Sequence, residues 1–153
     1  MNIKKTANLL LNFTIRRLAE IFGVLISLAG GMLLLALITY SPNDPNFIFP
    51  ENTKIENLMG FHGSFVSDLL FQSVGLMAYL IPFTLLITGI NILKTKDFFL
   101  VIENNFFTIL YLISGTLFFI QYYSNTYSLY INGSSGFVGQ YLSQTFLKSI
   151  ILT

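Results

Sequence analysis

Residues 21–40 read IFGVLISLAGGMLLLALITY, an uninterrupted run of 20 residues without a charged side chain. As an α-helix with a rise of about 1.5 Å per residue, this run is about 30 Å long, which matches the hydrocarbon thickness of a bilayer. A signal peptide has a shorter apolar region that is followed by an A-x-A-like cleavage site, and this stretch has neither property. The sequence therefore predicts an uncleaved transmembrane helix here.

Two further stretches, 69–93 and 104–123, are also free of charged side chains and long enough to cross a membrane. Pro82 lies within the first of them and predicts a kink, because neighbouring helices in a membrane can cover the carbonyl that proline leaves free. Residues 98–102 are apolar but Glu103 follows them, which favours a short interfacial helix before the third span.

The segments that flank these spans are more polar. Residues 1–20 form a basic N-terminal segment, and 41–67 form a turn-rich loop that begins with two prolines within six residues. The tail, 136–153, carries four polar residues at helical spacing, which is typical of an amphipathic helix lying along a membrane. These four residues are Gln140, Ser143, Gln144 and Lys148.

Composition supports the same fold class. Hydrophobic residues make up 54% of the 153 residues and charged residues only 10%, and the mean hydropathy is +0.70. Soluble domains carry roughly 25% charged residues, so this chain has too few ionic groups to cover a water-exposed surface. We therefore predict an all-α integral membrane protein with three transmembrane helices and a C-terminal amphipathic helix, in a helical membrane domain over 21–153.

The distribution of Lys and Arg predicts the orientation. Four of them lie in the N-terminal segment, two in the loop after the second span, one in the loop 41–67 and one in the tail. Cytoplasmic loops carry the excess of positive charge, so the N-terminus is expected in the cytoplasm and the residues after Tyr123 on the outer side. The protein is then multi-pass, and the loop 41–67 is an outer loop.

The chain lacks the residues that several classes of function require. The net charge is +1 without a basic stripe, so we expect no direct nucleic-acid contact from this segment. Cysteine is absent and His62 is the single histidine, which leaves no metal site to predict. No G-x-x-x-x-G-K-[ST] phosphate loop occurs, and the spans contain no charged residue for ion coupling. The sequence thus predicts no catalytic residue, no bound cofactor and no enzyme activity for this chain as it stands.

Small residues recur every four positions on the first span, at Gly23, Ser27 and Gly31. Small residues at this spacing let two helix backbones approach closely in lipid. The contact could join two subunits, or it could join this helix to another helix of the same chain. We expect packing within the chain somewhat more than a subunit contact.

A set of loop residues resembles a known family. Tyr40-Ser41-Pro42-Asn43-Asp44-Pro45-Asn46-Phe47 is followed by Asn and Gly residues before the second span, and by a Tyr-Leu-Ile-Pro motif within it. The residues that carry the pattern are Asp44, Pro45, Asn57, Gly60, Gly63, Asp68 and Pro82. Their order and spacing resemble the N-terminal four-span membrane domain of the FtsK/SpoIIIE-type bacterial DNA translocases. The resemblance covers about 16–146.

This resemblance implies a role for the chain. It implies a membrane anchor and assembly domain in the bacterial inner membrane, which links chromosome segregation to cell division at the septum. The expected partners are the membrane, other division-site membrane proteins and further copies of the chain. ATP and Mg²⁺ belong to the motor of the family, which this chain lacks. The fourth span of the family is also missing, so the chain is expected to be a fragment.

Alternatives stay open at this point. Ser134-Ser135-Gly136-Phe137-Val138-Gly139 stands where the family usually has Gly-Gly-x-x-Gly, a departure from the pattern. The Asn and Gly residues of the outer loop could set a turn rather than bind a partner. A stand-alone small multi-pass scaffold, or a subunit of an oligomeric pore or transporter, is the alternative function.

Overall fold

The computed structural model describes residues 3–45, 54–123 and 132–147 of the chain. Within these ranges the regular structure is entirely helical. The elements are α1 (Ile3–Ile38), α2 (Gly60–Val74), a 3-10 turn (Gly75–Tyr79), α3 (Leu80–Thr95), α4 (Phe99–Tyr123), α5 (Gly136–Leu142) and a π-helical turn (Ser143–Leu147). Three helical stretches are long and apolar enough to cross a membrane: Asn8–Ile38, Gly60–Thr95 and Phe99–Tyr123. The predicted all-α membrane class is confirmed.

The closest helix pair is α1 with α3, which run antiparallel. Gly23 of α1 lies against Gly89 and Leu93 near the end of α3. At the other end of the pair, the hydroxyl of Tyr79 donates a hydrogen bond of 3.2 Å to the carbonyl of Leu37. The small residues of α1 allow this approach, since any larger side chain would hold the two backbones apart.

The third helix, α4, packs on α3 through polar side chains. Asn104 donates from its amide to the hydroxyl of Thr88 at 2.8 Å, and the hydroxyl of Thr108 lies 3.0 Å from that of Thr84. Thr84 and Thr88 are four residues apart on α3, and the other two residues are four apart on α4. The two hydrogen bonds therefore lie one turn apart on the facing sides of the helices and form a ladder. In lipid, such interhelical hydrogen bonds hold helices together where hydrophobic burial cannot.

The lengths of the three helices agree with one bilayer crossing each. Arg17 to Ile38 rises about 32 Å, the 3-10 turn with α3 about 34 Å, and α4 about 37 Å, against a hydrocarbon core of about 30 Å. The hydroxyl of Ser134 donates to the carbonyl of Tyr123 at 2.8 Å, and the carbonyl of Ser134 accepts from the N–H of Leu76 at 3.0 Å. The last residue of α4 and the start of the 3-10 turn therefore lie at the same end of the bundle.

We name the two ends of this bundle by the residues they carry. The cap end carries Ile38, Gly75 and Tyr123, and the basic end carries Arg17 and Lys96. Helix α2 lies at the cap end. Just before α2 begins, the side chain of Asn57 reaches the carbonyl of Ala36, and near the end of α2, the ring of Phe71 lies 4.9 Å from that of Tyr40. Both ends of α2 thus meet the same end of α1, so α2 lies across the bundle rather than along it.

The second predicted span, 69–93, is therefore divided in the structure. Its first residues belong to α2, and the chain turns at Gly75, where φ is +61° and ψ is −139°. L-residues rarely adopt this conformation, and a Cβ at Gly75 would also collide with the carbonyl of Ser134. Pro82 lies just after this turn, in the first turn of α3, where proline is tolerated. The break thus precedes Pro82, at a glycine.

Three other boundaries differ from the prediction. Residues 99–102 form the first turn of α4 rather than a separate interfacial helix, because the helix continues without a break through Glu103. Helix α2 begins at Gly60, inside the predicted loop 41–67. In the tail, α5 and the π-helical turn cover 136–147, and the predicted residues 148–153 lie outside the described part of the chain. Gln140 is half-buried and donates to the carbonyl of Asn132 at 2.9 Å, so it faces the protein.

Candidate functional site at the cap end

The side chain of Asp44 organises the loop that connects α1 to α2. Its two carboxylate oxygens accept hydrogen bonds from the backbone N–H groups of Glu56 and Asn57, at 2.8 and 2.9 Å. Asp44 itself is only 5% exposed. Because a buried carboxylate needs partners for both oxygens, this pair of bonds joins the two halves of the loop across 12 residues.

Asn57 links the same loop to the end of α1. Its side-chain amide donates to the carbonyls of Ala36 and Thr39, at 2.9 and 3.3 Å, and its side-chain oxygen accepts from the N–H of Met59 at 3.0 Å. The last carbonyls of a helix have no partner inside the helix, so Asn57 supplies one. Leu58 adds a bond of 3.2 Å from its backbone N–H to the hydroxyl of Thr39.

The predicted glycines of this loop have separate roles. Gly63 lies against the side chains of Asn57 and Met59, and a Cβ there would overlap with both. Gly60 has a φ of +65°, but a Cβ there would meet nothing within 4 Å. Gly63 therefore provides space for Asn57, whereas Gly60 provides only the turn that starts α2. Pro45 accepts a hydrogen bond of 3.0 Å on its carbonyl from the hydroxyl of Ser64 in α2.

Asp68 and three aromatic rings complete the cap end. The hydroxyl of Tyr40 donates to the carboxylate of Asp68 at 3.0 Å, which fixes α2 to the segment after α1. Phe71 is fully buried between Tyr40 and Tyr79, with ring centroids 4.9 and 5.5 Å away. Aromatic pairs at these distances stabilise the packing beyond the area they bury. The cluster holds α2 across the ends of α1 and the 3-10 turn.

A second loop, 132–135, inserts into the same end. The amide of Asn132 donates to the carbonyl of Gln72 near the end of α2 at 3.1 Å. Ser134 and Ser135 are almost fully buried. Gly136 has a φ of +63° and packs against the backbone of Ser73 and Gly75, where no Cβ fits. This loop therefore supplies partners to the free backbone groups at the α2 break and at the end of α4.

The structure thus brings six of the seven family-pattern residues into one assembly at the cap end. They are Asp44, Pro45, Asn57, Gly60, Gly63 and Asp68. Pro82 lies apart from them, at the start of α3. Most of the bonds in the assembly join side chains to backbone groups, and among the described residues no cluster of three or more His, Asp or Glu side chains could hold a metal ion.

An apolar groove of about 480 Å³ runs between α1 and the start of α2. Its lining includes Ala29, Leu33 and Ala36 from α1 and His62, Gly63 and Val66 from α2. His62 thus contributes to a mainly apolar lining, and among the described residues no acidic or nucleophilic side chain lines the groove with it. The groove offers an apolar surface with one imidazole in its lining.

The predicted small-residue stripe lies partly at the α1–α3 contact. A Cβ built on Gly89 would stand 2.7 Å from the Gly23 carbonyl oxygen and from the Ser27 nitrogen. Gly30 occupies the next position along this contact, where a Cβ would meet the backbone of Leu86 at 2.9 Å. A Cβ on Gly31 would meet nothing within 4 Å, so Gly31 takes no part in this contact.

The Thr and Asn ladder between α3 and α4 was missed by sequence reasoning. Its signal is a polar residue every four positions on each of two apolar stretches, at Thr84 and Thr88 and at Asn104 and Thr108. The sequence does not show that these two faces meet. The assembly at the cap end was likewise visible only as a pattern of residue types.

Comparison with known proteins identifies the family. The family model described as the 4TM region of DNA translocase FtsK/SpoIIIE matches residues 15–152. The DNA translocase FtsK of Caulobacter vibrioides is 34% identical over 79 residues, which cover 52% of this chain and 10% of that protein. The DNA translocase FtsK of Vibrio vulnificus is 37% identical over 83 residues, which cover 54% of this chain and 8% of that protein.

Each of these alignments covers about a tenth of the relative's length. No solved structure matches this chain. The match to the family model nevertheless extends over almost all of the described bundle, from α1 through α5. The chain therefore belongs to the family of the 4TM region of the DNA translocase FtsK/SpoIIIE, and it is a membrane domain of the FtsK type.

Proposed function

We propose that this membrane domain anchors a DNA translocase at the bacterial division septum and contributes to the assembly of its subunits. The observation that carries the proposal is the match to the FtsK/SpoIIIE 4TM family over 15–152. We propose the cap end as the surface for assembly, and this is supported by Asp44 and Asn57, which join the described residues on both sides of the loop to each other and to the end of α1. The proposed partners are division-site membrane proteins and further copies of the chain.

The proposed orientation places the N-terminus and the basic end in the cytoplasm. Arg16, Arg17, Lys94 and Lys96 all lie at the basic end, whereas Lys54 lies at the cap end. The excess of Lys and Arg marks the cytoplasmic side of a membrane protein. The cap end then faces the periplasm. In this arrangement the chain needs no cofactor of its own and makes no direct contact with nucleic acid.

The septal role is tested by imaging. A fluorescent protein fused to the N-terminus of residues 1–153 is expected to accumulate at mid-cell in dividing bacteria. The Asp44→Asn variant disrupts the loop and is expected to lose this accumulation while remaining in the membrane. Glu56→Gln is the matched control, because Glu56 lies in the same loop but its side chain is exposed. Uniform membrane fluorescence of the unmodified chain would contradict the septal role.

The orientation has a separate test. A reporter active only in the cytoplasm, fused after Ser135 near the cap end, is expected to be silent. The same reporter fused after Lys96 at the basic end is expected to be active. The opposite pattern would reverse the orientation without affecting the family assignment.

A further inference from the structure

An open cleft of about 500 Å³ lies at the basic end, between α1 and the end of α3. Most of its lining is charged. The lining residues that matter here are Phe13, Arg16, Arg17, Glu20, Lys94 and Lys96. The cleft thus combines four cationic side chains with one carboxylate.

The single carboxylate is already paired. Glu20 accepts from Arg17 at 2.6 Å and from Lys96 at 3.0 Å. Arg16 and Lys94 form no ion pair or hydrogen bond through their side chains with any residue that the structure describes. Like charges gathered in one cleft repel one another, and this repulsion grows where the membrane lowers the effective dielectric constant. Among the described residues, no carboxylate is paired with Arg16 or Lys94, so the cleft has a net positive charge.

An ion pair between α1 and the residue that ends α3 lies in the cleft. Lys96 ends α3 in the left-handed conformation, with a φ of +61°, and its backbone N–H donates to the carbonyl of Ile92 at 2.8 Å. Its ammonium group reaches both the carbonyl of Leu93 and the carboxylate of Glu20 on α1. On α1, the guanidinium of Arg17 lies 5.1 Å from the centre of the Phe13 ring. Lys96 and Arg17 are thus fixed in place, while Arg16 and Lys94 are left for a ligand.

The position of the cleft identifies the ligand class. It lies about 32 Å along α1 from the cap end, which is where the hydrocarbon core ends and the phospholipid headgroups begin. Ile21 and Phe22, on the next turn of α1 toward the middle of the span, are about half exposed. Guanidinium and ammonium groups bind phosphate oxygens through charge-assisted hydrogen bonds, and basic pockets between membrane helices bind lipid headgroups.

We propose that this cleft binds the phosphate group of an anionic phospholipid, with Arg16 and Lys94 as the residues that contact the phosphate. Arg17 and Lys96 contribute their positive charge while remaining bound to Glu20. The acyl chains of the lipid lie along the exposed apolar side chains of α1. This proposal depends on the membrane assignment and is independent of the septal role and of the orientation.

The test is a lipid titration of the purified chain in neutral detergent, followed by native mass spectrometry. Adducts with phosphatidylglycerol are expected to be retained in preference to adducts with phosphatidylcholine. Replacing Arg16 and Lys94 together with Gln is expected to weaken phosphatidylglycerol binding roughly 10- to 30-fold, since each basic residue near a membrane surface contributes about a factor of five. Circular dichroism of each variant verifies that it is folded.

A matched variant distinguishes lipid binding in this cleft from general electrostatic attraction between the lipid and the basic residues of the chain. Lys4→Gln with Lys5→Gln removes the same charge from the start of α1, about three helical turns before Arg16, and is expected to retain nearly all of the binding. Equal weakening by both double variants would overturn the proposal, and so would unchanged binding in the Arg16 and Lys94 variant. Competition with inorganic phosphate, at the same concentration as the lipid, distinguishes a lipid headgroup from free phosphate as the ligand. If it displaces the lipid fully, the site binds free phosphate and the lipid assignment is wrong.

Discussion

The side-chain amide of Asn57 lies 2.9 Å from the carbonyl oxygen of Ala36, so the loop that leaves α1 returns to close the end of that same helix. Both residues are almost fully buried. An asparagine offers two donors and one acceptor, and all three are used here: two carbonyls of α1 and the N–H of Met59 are bound. Asn57 thus connects the end of the first crossing helix to the start of α2.

Replacing Asn57 with Ala is expected to destabilise the chain by about 1–3 kcal/mol, because buried backbone groups at the end of α1 would lose their partners. Thermal unfolding in detergent, followed by circular dichroism, measures this loss. Asn43→Ala is the control, since Asn43 lies in the same loop with an exposed side chain. If both variants melt at the same temperature, Asn57 does not have the structural role assigned to it.

Two glycine-to-alanine changes test the α1–α3 contact. Both replacements favour the helix by up to about 1 kcal/mol, so any difference between them reports on packing. Gly89→Ala is expected to lose about 1–3 kcal/mol, because its Cβ would stand 2.7 Å from backbone atoms of α1. Gly31→Ala, which meets open space, is expected to be neutral or stabilising. Unfolding by titration with sodium dodecyl sulfate gives both values, and a stabilised Gly89→Ala variant would refute the contact.

The ladder between α3 and α4 is tested with two neighbouring asparagines. Asn104→Ala removes the bond to Thr88 and is expected to cost about 0.6–2 kcal/mol in the same unfolding titration. Asn105 is exposed and donates to the carbonyl of Val101 in its own helix. Asn105→Ala is therefore expected to have almost no effect. Equal losses for the two variants would show that the interhelical bond contributes nothing.

The break between α2 and the 3-10 turn is tested at two glycines with positive φ. Gly60→Ala and Gly75→Ala both place alanine at a positive φ, which costs about 1–3 kcal/mol at each position. Gly75→Ala additionally pushes a methyl group into the carbonyl of Ser134. It is expected to be the more destabilising change and to accelerate hydrogen exchange at the N–H of Leu76, which binds that carbonyl. Exchange that is as slow as in the unmodified chain would contradict this account.

The number and type of the crossing helices could be predicted from the sequence. Burying charge in lipid is costly, so each crossing helix contains a long run without charged residues, such as 21–40. The position of the break could not be predicted. Pro82 predicts a bend because proline has no backbone N–H to donate. The turn occurs instead at Gly75, where Ser134, almost sixty residues later in the chain, occupies the space beside the backbone. A local pattern does not contain such a distant contact.

The residues of the candidate site were predictable as types but not as an assembly. Asp44 and Asn57 are separated by 13 residues, and only the folded loop shows that one binds the backbone of the other. The register of the α1 stripe depends on where α3 lies, and Gly30 rather than Gly31 faces it. A four-residue spacing of small residues identifies the contacting face of a helix to within one position. Which of the neighbouring glycines at 30 and 31 makes the contact depends on where the partner helix lies.

The carbonyls at the end of α1 have a consequence for how the protein is made. Ala36 and Leu37 accept their tertiary hydrogen bonds from Asn57 and Tyr79, which follow them by 21 and 42 residues. Both donors are synthesised after α1 is complete. Until Asn57 has been synthesised the carbonyl of Ala36 lacks its tertiary donor, and until Tyr79 has been synthesised the carbonyl of Leu37 lacks its own. Because unpaired carbonyls at a helix end are costly in lipid, we expect the end of α1 to stay at the wet membrane surface during insertion and the cap end to close only after the second crossing is in place.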